Sequence, residues 1–127
     1  MPINIQMHKG LLELVFHGDV GEADFMAVVE SVHDIEARLE VTPDRVADLS
    51  AANMMPLNAD VLRRYAISRT AMPLKNKVKS AIIAPKPDQF GLARMFQAFN
   101  ENPSIEIKLF RDAASAYAWL GRTAKSA

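Results

Sequence analysis

Hydrophobic and polar positions alternate along the chain in a way that predicts strands and helices in turn. Two short runs at the start, residues 3–7 and 11–17, have the alternation of β-strands, and Lys9-Gly10 between them is typical of a hairpin turn. These two strands are expected to be antiparallel. Residues 22–39 follow with apolar side chains at three- and four-residue steps, which predicts a helix with one buried face. That face is expected to carry Phe25, Val28, Val29, Val32, Ile35 and Leu39.

The middle of the chain predicts two further strands and a helix between them. Residues 45–49 have the composition of a short third strand, and a loop is expected over residues 50–57. Asn58 is a good N-cap for a second helix that runs to about Thr70. Residues 78–84 are apolar on both faces, which is typical of a strand covered by helices on two sides. This strand is expected at the centre of the sheet.

The last third of the chain predicts two more helices with a strand between them. Asp88 is a candidate cap for the third helix, after a turn rich in proline. Residues 105–110 alternate as a strand, and Asp112 caps a final helix that Gly121 ends. The inward-facing side chains of the third helix are expected to be Phe90, Ala93, Met95, Phe96 and Phe99. The final helix is expected to face the sheet with Ala113, Ala116, Tyr117 and Leu120.

The order of these elements is ββαβαβαβα, which predicts an α/β fold. An alternation of strands and helices gives a parallel or mixed sheet with helices packed on it, here a five-stranded mixed sheet with four helices. The chain has 127 residues, of which 50% are hydrophobic, enough to bury a substantial core. One domain is therefore expected over residues 1–127, and the residues after Thr123 are expected to fray.

The composition excludes several kinds of protein and site. The chain has no cysteine, which excludes disulfides, thiolate zinc sites and a cysteine nucleophile. His8, His17 and His33 lack the spacing of a metal site. The start of the sequence lacks the pattern of a secretion signal, and no run approaches the ~18 apolar residues of a transmembrane segment. A cytoplasmic protein is expected.

Charges are distributed unevenly although the net charge is zero. Residues 1–60 hold eleven acids and three bases, whereas residues 61–86 hold seven bases and no acid. This segregation could favour self-association as a homodimer or provide a basic face for an anionic partner, or the charges could simply solvate outer faces of helices and loops. Nucleic acid is not an expected partner, because the chain as a whole is not basic and lacks aromatic platforms.

The sequence contains no motif that indicates catalysis or a cofactor. It has no G-x-S-x-G elbow, no Walker loop, no G-x-G-x-x-G and no H-E-x-x-H. Asp48 ends the third strand near a loop, but one carboxylate without an acid or base partner makes a poor catalyst. The sequence therefore predicts a protein that is not an enzyme, with no catalytic residue, no cofactor and no metal.

Three segments in order resemble a known family. They are H-G-D-V-G-E-A-D-F at residues 17–25, V-A-D-L-S at residues 46–50, and L-F-R-D-A-A-S-A-Y-A-W-L at residues 109–120. Together they resemble the STAS-like family, the relatives of the sporulation anti-sigma-factor antagonist, which are also similar to small CRAL-TRIO-type lipid-binding modules. The resemblance covers essentially the whole chain in element order. It implies a five-stranded mixed sheet with packed helices and no intrinsic catalytic machinery.

The resemblance also implies a position for a modified serine, which this chain does not have. In the phosphorylatable antagonists of the family, a serine stands at the start of the helix after the third strand. Asn58 occupies that position here, and asparagine cannot accept a phosphoryl group. The resemblance therefore leaves partner binding without phosphorylation as the implied role. Ser50 is a nearby hydroxyl at the end of the strand, where a role in a turn or cap is expected.

Ligands of open α/β sheets tend to lie beyond the carboxyl ends of the strands. At that edge the sequence predicts Ser50, Asn53, Met54, Met55, Asn58, Pro85, Pro87 and Asp88. The run from Met54 to Leu57 could adapt to an apolar ligand or a protein groove, or it could roof the core. A basic rim could add Arg63, Arg64, Arg69, Lys75, Lys77 and Lys79, although Asp60 is spaced to pair with the first two arginines. Trp119 is expected to pack against the sheet rather than anchor an interface.

The hypothesis from the sequence is a non-catalytic regulatory or interaction module. It would bind a protein partner through the third-strand loop and the second helix. The alternative is a carrier or sensor of a small apolar or lipid-like ligand, with an anionic lipid headgroup as one option, bound between the sheet edge and the second and third helices. The predicted binding residues are Ser50, Asn53, Met54, Met55, Asn58, Arg63 and Asp88.

Overall fold

The computed structural model describes residues 3–70 and 74–122 of the chain, with all side chains in these ranges except those of residues 68–70. Its strands are β1 (Ile3–His8), β2 (Leu11–Asp19), β3 (Arg45–Asn53), β4 (Val78–Ile83) and β5 (Ile105–Phe110). Its helices are α1 (Glu22–Arg38), α2 (Ala59–Thr70), α3 (Pro87–Phe99) and α4 (Ala113–Trp119). The predicted order ββαβαβαβα is confirmed. The expected fraying after Thr123 lies outside the described residues.

The five strands form one mixed sheet in the order β1-β2-β3-β4-β5. β1 and β2 are antiparallel and form the predicted hairpin, whose turn residues Lys9 and Gly10 have φ values of 50° and 79°. β2, β3, β4 and β5 are mutually parallel. The fold class predicted from the sequence, a five-stranded mixed α/β sheet with four helices, is therefore confirmed.

The central strand is β3, so the prediction that residues 78–84 form the centre of the sheet is wrong. β4 is apolar on both faces because helices cover both: Ile82 belongs to the core under the first three helices, and Ala81 and Ile83 belong to the core under α4. Cover on two faces marks an interior strand but does not distinguish the middle strand from its neighbour.

The sheet separates two hydrophobic cores of unequal size. The larger core lies between the sheet and α1, α2 and α3, and it includes the predicted stripe of α1 from Phe25 to Val32. The smaller core lies beneath α4, where Ala116 and Leu120 are buried and Trp119 packs against them as expected. Ala113, predicted to face the sheet, is exposed in the first turn of α4.

Two helix starts show how the caps work. Asp112 caps α4 as predicted, because its carboxylate accepts a hydrogen bond of 2.7 Å from the backbone N–H of Ser115. For α3 the predicted cap, Asp88, is wrong: the N-cap is Lys86, since a proline occupies the first helical position, where its fixed φ suits the helix. The backbone N–H of Lys86 donates instead to Gln89 Oε1, at 3.1 Å.

Two further details differ from the sequence prediction. β3 continues to Asn53 instead of ending at residue 49, because β2 continues beside it after a register shift between Val15 and His17. Met95, predicted to point into the core from α3, is exposed. Its neighbour Phe96 lies on the inner side and packs against the larger core.

Candidate functional site

The loop between β3 and α2 is held by its own hydrogen bonds. Asn53 Oδ1 accepts from the backbone N–H of Met55 at 3.2 Å, and the backbone N–H of Leu57 donates to the carbonyl of Met54 at 3.0 Å. Asn53 also donates from Nδ2 to Asp19 Oδ1 at 2.9 Å, which ties the end of β3 to the end of β2. The backbone of this loop is therefore fixed at several points.

The two adjacent methionines of this loop have opposite environments. Met54 is 5% exposed and belongs to the larger core, where the sequence allowed it either to roof the core or to contact a ligand. Met55 is 73% exposed. The loop thus buries one methionine and presents the other to solvent.

Asn58 serves the start of α2. Its Oδ1 accepts a hydrogen bond of 3.0 Å from the backbone N–H of Val61, the arrangement predicted for an N-cap. This contact accounts for an asparagine at the position where the resemblance implies a serine. The residue is nevertheless exposed at the junction of the loop and the helix.

Ser50 and Asp88 each adjoin one end of a hydrogen bond between β3 and α3. Ser50 follows Leu49, whose carbonyl accepts from Gln89 Nε2 at 2.7 Å, and Asp88 precedes Gln89 in the first turn of α3. Both residues are exposed. The backbone N–H of Ser50 donates to Asp48 Oδ1 at 2.9 Å, a local turn contact of the kind expected for this residue.

The outer face of α2 carries the predicted surface pairing. Arg63 Nη2 lies 3.8 Å from Asp60 Oδ1, and Arg64 Nε lies 3.5 Å from Asp60 Oδ2. Arg64 also reaches Glu22 of α1, at 3.5 Å. All these groups are exposed, so each pair contributes at most about 1 kcal/mol. Ile67, four residues beyond Arg63, is 58% exposed.

The basic rim predicted from the sequence is not one surface. Arg63 and Arg64 lie on α2, on the side of the larger core. Lys79 lies on the other face of the sheet, where its Nζ donates to the carbonyl of Trp119 at 3.3 Å and sits 5.2 Å from the centre of the Trp119 ring. The side chain of Arg69 lies outside the described residues. The structure therefore divides the predicted basic residues between two faces.

An apolar cavity of about 110 Å³ lies between the sheet and α1, α2 and α3. Its walls are mostly aliphatic and aromatic, and they include Phe16, Val28, Met54, Leu62 and Phe96. Well-packed interiors hold few voids larger than a water molecule. An engineered apolar cavity of about 150 Å³ in another protein binds benzene. Of the predicted binding residues, Met54 is the one that lines this cavity.

A buried ion pair borders the cavity. Arg45 Nη2 lies 2.7 Å from Glu36 Oε2, with side-chain exposures of 8% and 7%. Sequence reasoning missed this pair, although a signal exists. Glu36 falls four residues after Val32 on the buried stripe of α1, and Arg45 is two residues before Ala47, which packs on the same core. Charged residues at positions assigned to a core indicate a buried pair or a functional group.

A second buried carboxylate lies on the α4 face of the sheet. Glu13 accepts from the hydroxyl of Tyr117 at 2.5 Å and from Gln6 Nε2 at 3.1 Å. Burial, this hydrogen bond and the charges of Glu13 and Asp48 raise the pKa of Tyr117 well above its usual range. Tyr117 therefore stays protonated at neutral pH and acts as a hydrogen-bond donor. Within residues 3–70 and 74–122, no three histidine or carboxylate side chains converge into a metal-binding group.

Comparisons with known proteins give matches in structure. No family model matches the sequence, and no curated protein is significantly similar to it. A similar solved structure is an uncharacterized protein of the DUF3478 family with a SpoIIAA-like fold, from Shewanella loihica PV-4. It is 18% identical, with a TM-score of 0.62, and the match covers 93% of this chain and 91% of that chain.

A second similar structure is an anti-sigma factor antagonist from Mycobacterium paratuberculosis. It is 14% identical, with a TM-score of 0.59, and the match covers 94% of this chain and 92% of that chain. In the part of the chain that the structure describes, no helix is both long enough and apolar enough to span a bilayer. Similarity at these identities shows the fold, and the chain has the SpoIIAA-like fold that its resemblance to the STAS-like family predicted.

Proposed function

We propose that this chain is a non-catalytic regulatory module that binds a protein partner through the β3–α2 loop and the outer face of α2. The proposal is supported by a fold shared with an anti-sigma factor antagonist, a kind of protein whose name describes action on another protein. The binding surface is assigned from the geometry of this chain, and it comprises Asn53, Met55, Asn58, Arg63 and Ile67. This set is called the α2 surface below.

The observation that carries the proposal is the exposure of two large apolar side chains on this surface. Met55 is 73% exposed in the loop, and Ile67 is 58% exposed on the helix. Methionine adapts its flexible side chain to varied apolar partners, and arginine is enriched where partners bind most tightly. Arg63, between them in sequence, has an exposed contact with Asp60 and can exchange it for a partner group.

The rigidity of the loop strengthens this assignment. Since Asn53 and Asn58 fix the backbone on either side of Met55, the methionine is presented in a defined position and not by a freely moving segment. A backbone ordered before binding loses less conformational entropy when the complex forms. Ser50 and Asp88, which the sequence also predicted, stay proposed members at the edge of this surface.

The test is a comparison of partners captured by the tagged chain from extracts of its own cells. Met55→Lys and Ile67→Lys place a charge on the α2 surface, whereas Val41→Lys does the same at a residue that is 66% exposed in the loop after α1. We expect the first two variants to lose proteins that the unmodified chain and the Val41 variant retain. An identical set of proteins for all four chains would contradict the proposal.

A second candidate function, the binding of a small apolar molecule, is supported by the cavity of about 110 Å³. This volume suits part of a lipid or a molecule of a few heavy atoms. Native mass spectrometry of freshly purified protein tests the candidate, with Ala93→Leu as the control because Ala93 is buried on the cavity wall. A small-molecule adduct is expected on the unmodified chain and not on the variant. An anionic lipid headgroup stays a prediction.

Self-association also stays a prediction, and a difference between the two sheet edges supports it. At the β5 edge, Gln97 Nε2 donates to the carbonyl of Ile107 at 2.8 Å, and Asn100 Nδ2 donates to that of Ile105 at 3.1 Å. β1, at the opposite edge, carries no lysine, arginine, aspartate or glutamate to discourage pairing with another strand. Sedimentation at high concentration and low salt should show a dimer, and a strict monomer would contradict it.

A further inference from the structure

The apolar cavity has one polar end. Arg45 of β3 and Ser80 of β4 are partners in the parallel register of these strands, and both line the cavity. Asn100, just after α3, lines it as well. The remainder of the lining is almost entirely apolar, including Met54 beyond the carboxyl end of β3. A molecule that fills the cavity therefore meets hydrocarbon along most of its surface and polar groups in one place.

Arg45, which lines this polar end, has a hydrogen-bond donor without an acceptor among the described residues. Arg45 is more than nine-tenths buried, and its Nη2 is bonded to Glu36. Its Nε has no hydrogen-bond partner among the described residues. An unsatisfied N–H group in a buried site is unfavourable, and a guanidinium donor makes stronger hydrogen bonds than a neutral one. An oxygen atom that comes within hydrogen-bond distance of the Nε–H group from this end of the cavity would satisfy it.

The charge balance of the site favours an uncharged oxygen acceptor on the ligand over a negatively charged one. Glu36 already neutralises Arg45 at 2.7 Å. A carboxylate or phosphate entering the same site would bring a second negative charge beside Arg45, whose charge Glu36 already balances, and this is strongly unfavourable. A ketone, ester or hydroxyl oxygen accepts the hydrogen bond without that charge. The Ser80 hydroxyl, on the neighbouring strand, can donate or accept as the ligand requires.

We propose that the cavity binds a small uncharged molecule with an apolar body and one oxygen acceptor, which takes a hydrogen bond from Arg45 Nε. This inference rests on the second function proposed above, small-molecule binding, and specifies the chemistry of the ligand. The volume of about 110 Å³ sets the size of the buried part at about that of a six-carbon ring or smaller. The cavity thus discriminates by polarity at one end and by shape elsewhere.

A matched pair of probes tests the assignment. Cyclopentanone and methylenecyclopentane have nearly the same shape, but only the ketone carries an acceptor. Binding of each is measured by NMR titration of the full chain, following the methyl signals of cavity residues and the Nε–H signal of Arg45. We expect both probes to shift the methyl signals, and the ketone to bind about tenfold more tightly and to move the Nε–H signal as well.

Two other results would overturn the proposal, and they differ in what else they contradict. If both probes bind equally and the Nε–H signal of Arg45 does not move, the assigned acceptor site is wrong while small-molecule binding stands. If neither probe shifts the methyl signals at millimolar concentration, both the acceptor site and the second proposed function are wrong.

Two variants provide the controls. The double variant Glu36→Leu and Arg45→Met removes both charges of the pair together, which avoids leaving one buried charge without the other. It is expected to abolish the preference for the ketone, so that both probes bind within about twofold of each other. Ala93→Leu adds volume on the cavity wall and should abolish the binding of both probes. Unchanged probe binding in the Ala93 variant would place the probes elsewhere and overturn the proposal.

Discussion

The side-chain amide of Gln89 donates a hydrogen bond of 2.7 Å to the backbone carbonyl of Leu49. The same nitrogen donates to the carbonyl of Ala52, at 2.8 Å. β3 pairs with β4 only as far as Asp48, so the carbonyls that follow lack a partner from that strand. A fully buried glutamine at the start of α3 supplies it and fixes α3 against the carboxyl half of β3.

Replacing this glutamine should destabilise the protein strongly. Gln89→Leu removes the donor to two carbonyls and the acceptor for the backbone N–H of Lys86. The free energy of unfolding should fall by roughly 2 to 4 kcal/mol, since buried polar groups lose their partners. Urea unfolding measures it. Gln97→Leu, whose glutamine is exposed and makes one backbone contact, should cost less than about 1 kcal/mol. Equal effects at both positions would contradict the role assigned to Gln89.

Breaking the buried pair of Arg45 and Glu36 should lower the free energy of unfolding strongly, whereas replacing both residues together should lower it much less. Arg45→Met removes the guanidinium 2.7 Å from the buried Glu36 carboxylate and should lower the free energy of unfolding by about 3 to 5 kcal/mol. Adding Glu36→Leu should restore most of this loss, because no unbalanced charge remains. The exposed pair of Arg64 and Glu22 is the control, with an expected coupling of at most about 1 kcal/mol. A double-mutant cycle in urea measures both couplings, and similar values for the two pairs would contradict the expectation.

The elements of this fold could be predicted from the sequence because their signals are local. Residues 22–38 repeat their apolar positions with the period of a helix, and Asn58, Asp112 and Gly121 stand where caps and stops are needed. The order of the strands in the sheet was harder to predict from the sequence. β4 has apolar residues on both faces, which shows that two layers of helices cover it but not which strand lies beside it on each side.

The candidate site could be predicted only in part. The exposure of Met55 and the burial of Met54 depend on how the loop turns, and two identical side chains in succession carry no signal for it. The cavity depends on the spacing between the sheet and three helices, which no local pattern encodes. Arg45 and Glu36 did carry a signal, since both fall at core positions of their elements, but pairing two such residues nine positions apart requires the three-dimensional arrangement.

Stability in acid should depend in part on Asp112. Hydrogen bonds from the backbone and hydroxyl of Ser115 hold the pKa of Asp112 below its usual range. A carboxyl group whose pKa is lowered by folding stabilises the protein above its ordinary pKa, and this contribution is lost as the pH falls from about 4 towards the lowered value. Asp112→Asn keeps a capping oxygen that does not titrate.

The measurement is the thermal midpoint at pH 7, 5 and 3. The unmodified chain and the Asp112→Asn variant should have similar midpoints at pH 7, because both residues are good caps. Between pH 5 and pH 3 the midpoint of the unmodified chain should fall further than that of the variant. Parallel curves over the whole range would show that the cap of α4 does not contribute to acid sensitivity.

Replacing each of two glycines by alanine should change the free energy of unfolding in opposite directions. Gly91 lies within α3, and Gly121 follows α4 with a φ of 74°. An added Cβ meets no atom within 4 Å at either position, so the backbone conformation decides the outcome. Gly91→Ala should raise the free energy of unfolding by about 0.5 to 1 kcal/mol, because alanine favours a helix. Gly121→Ala should lower it by about 1 kcal/mol, because φ is positive. Urea unfolding of both variants checks the signs, and the same sign for both would contradict the assignment.

The adjacent methionines of the β3–α2 loop should separate folding from partner binding. Met54→Ala removes a buried core side chain and should lower the free energy of unfolding by about 2 to 4 kcal/mol. Met55→Ala alters an exposed side chain and should change stability by less than about 0.5 kcal/mol. If the α2 surface binds a protein, Met55→Ala should nevertheless weaken capture of that partner, whereas folded Met54→Ala should retain it. Urea unfolding and partner capture are measured on the same preparations. A large loss of stability in Met55→Ala, or unchanged capture by that variant, would mean that the exposed methionine is not a binding residue.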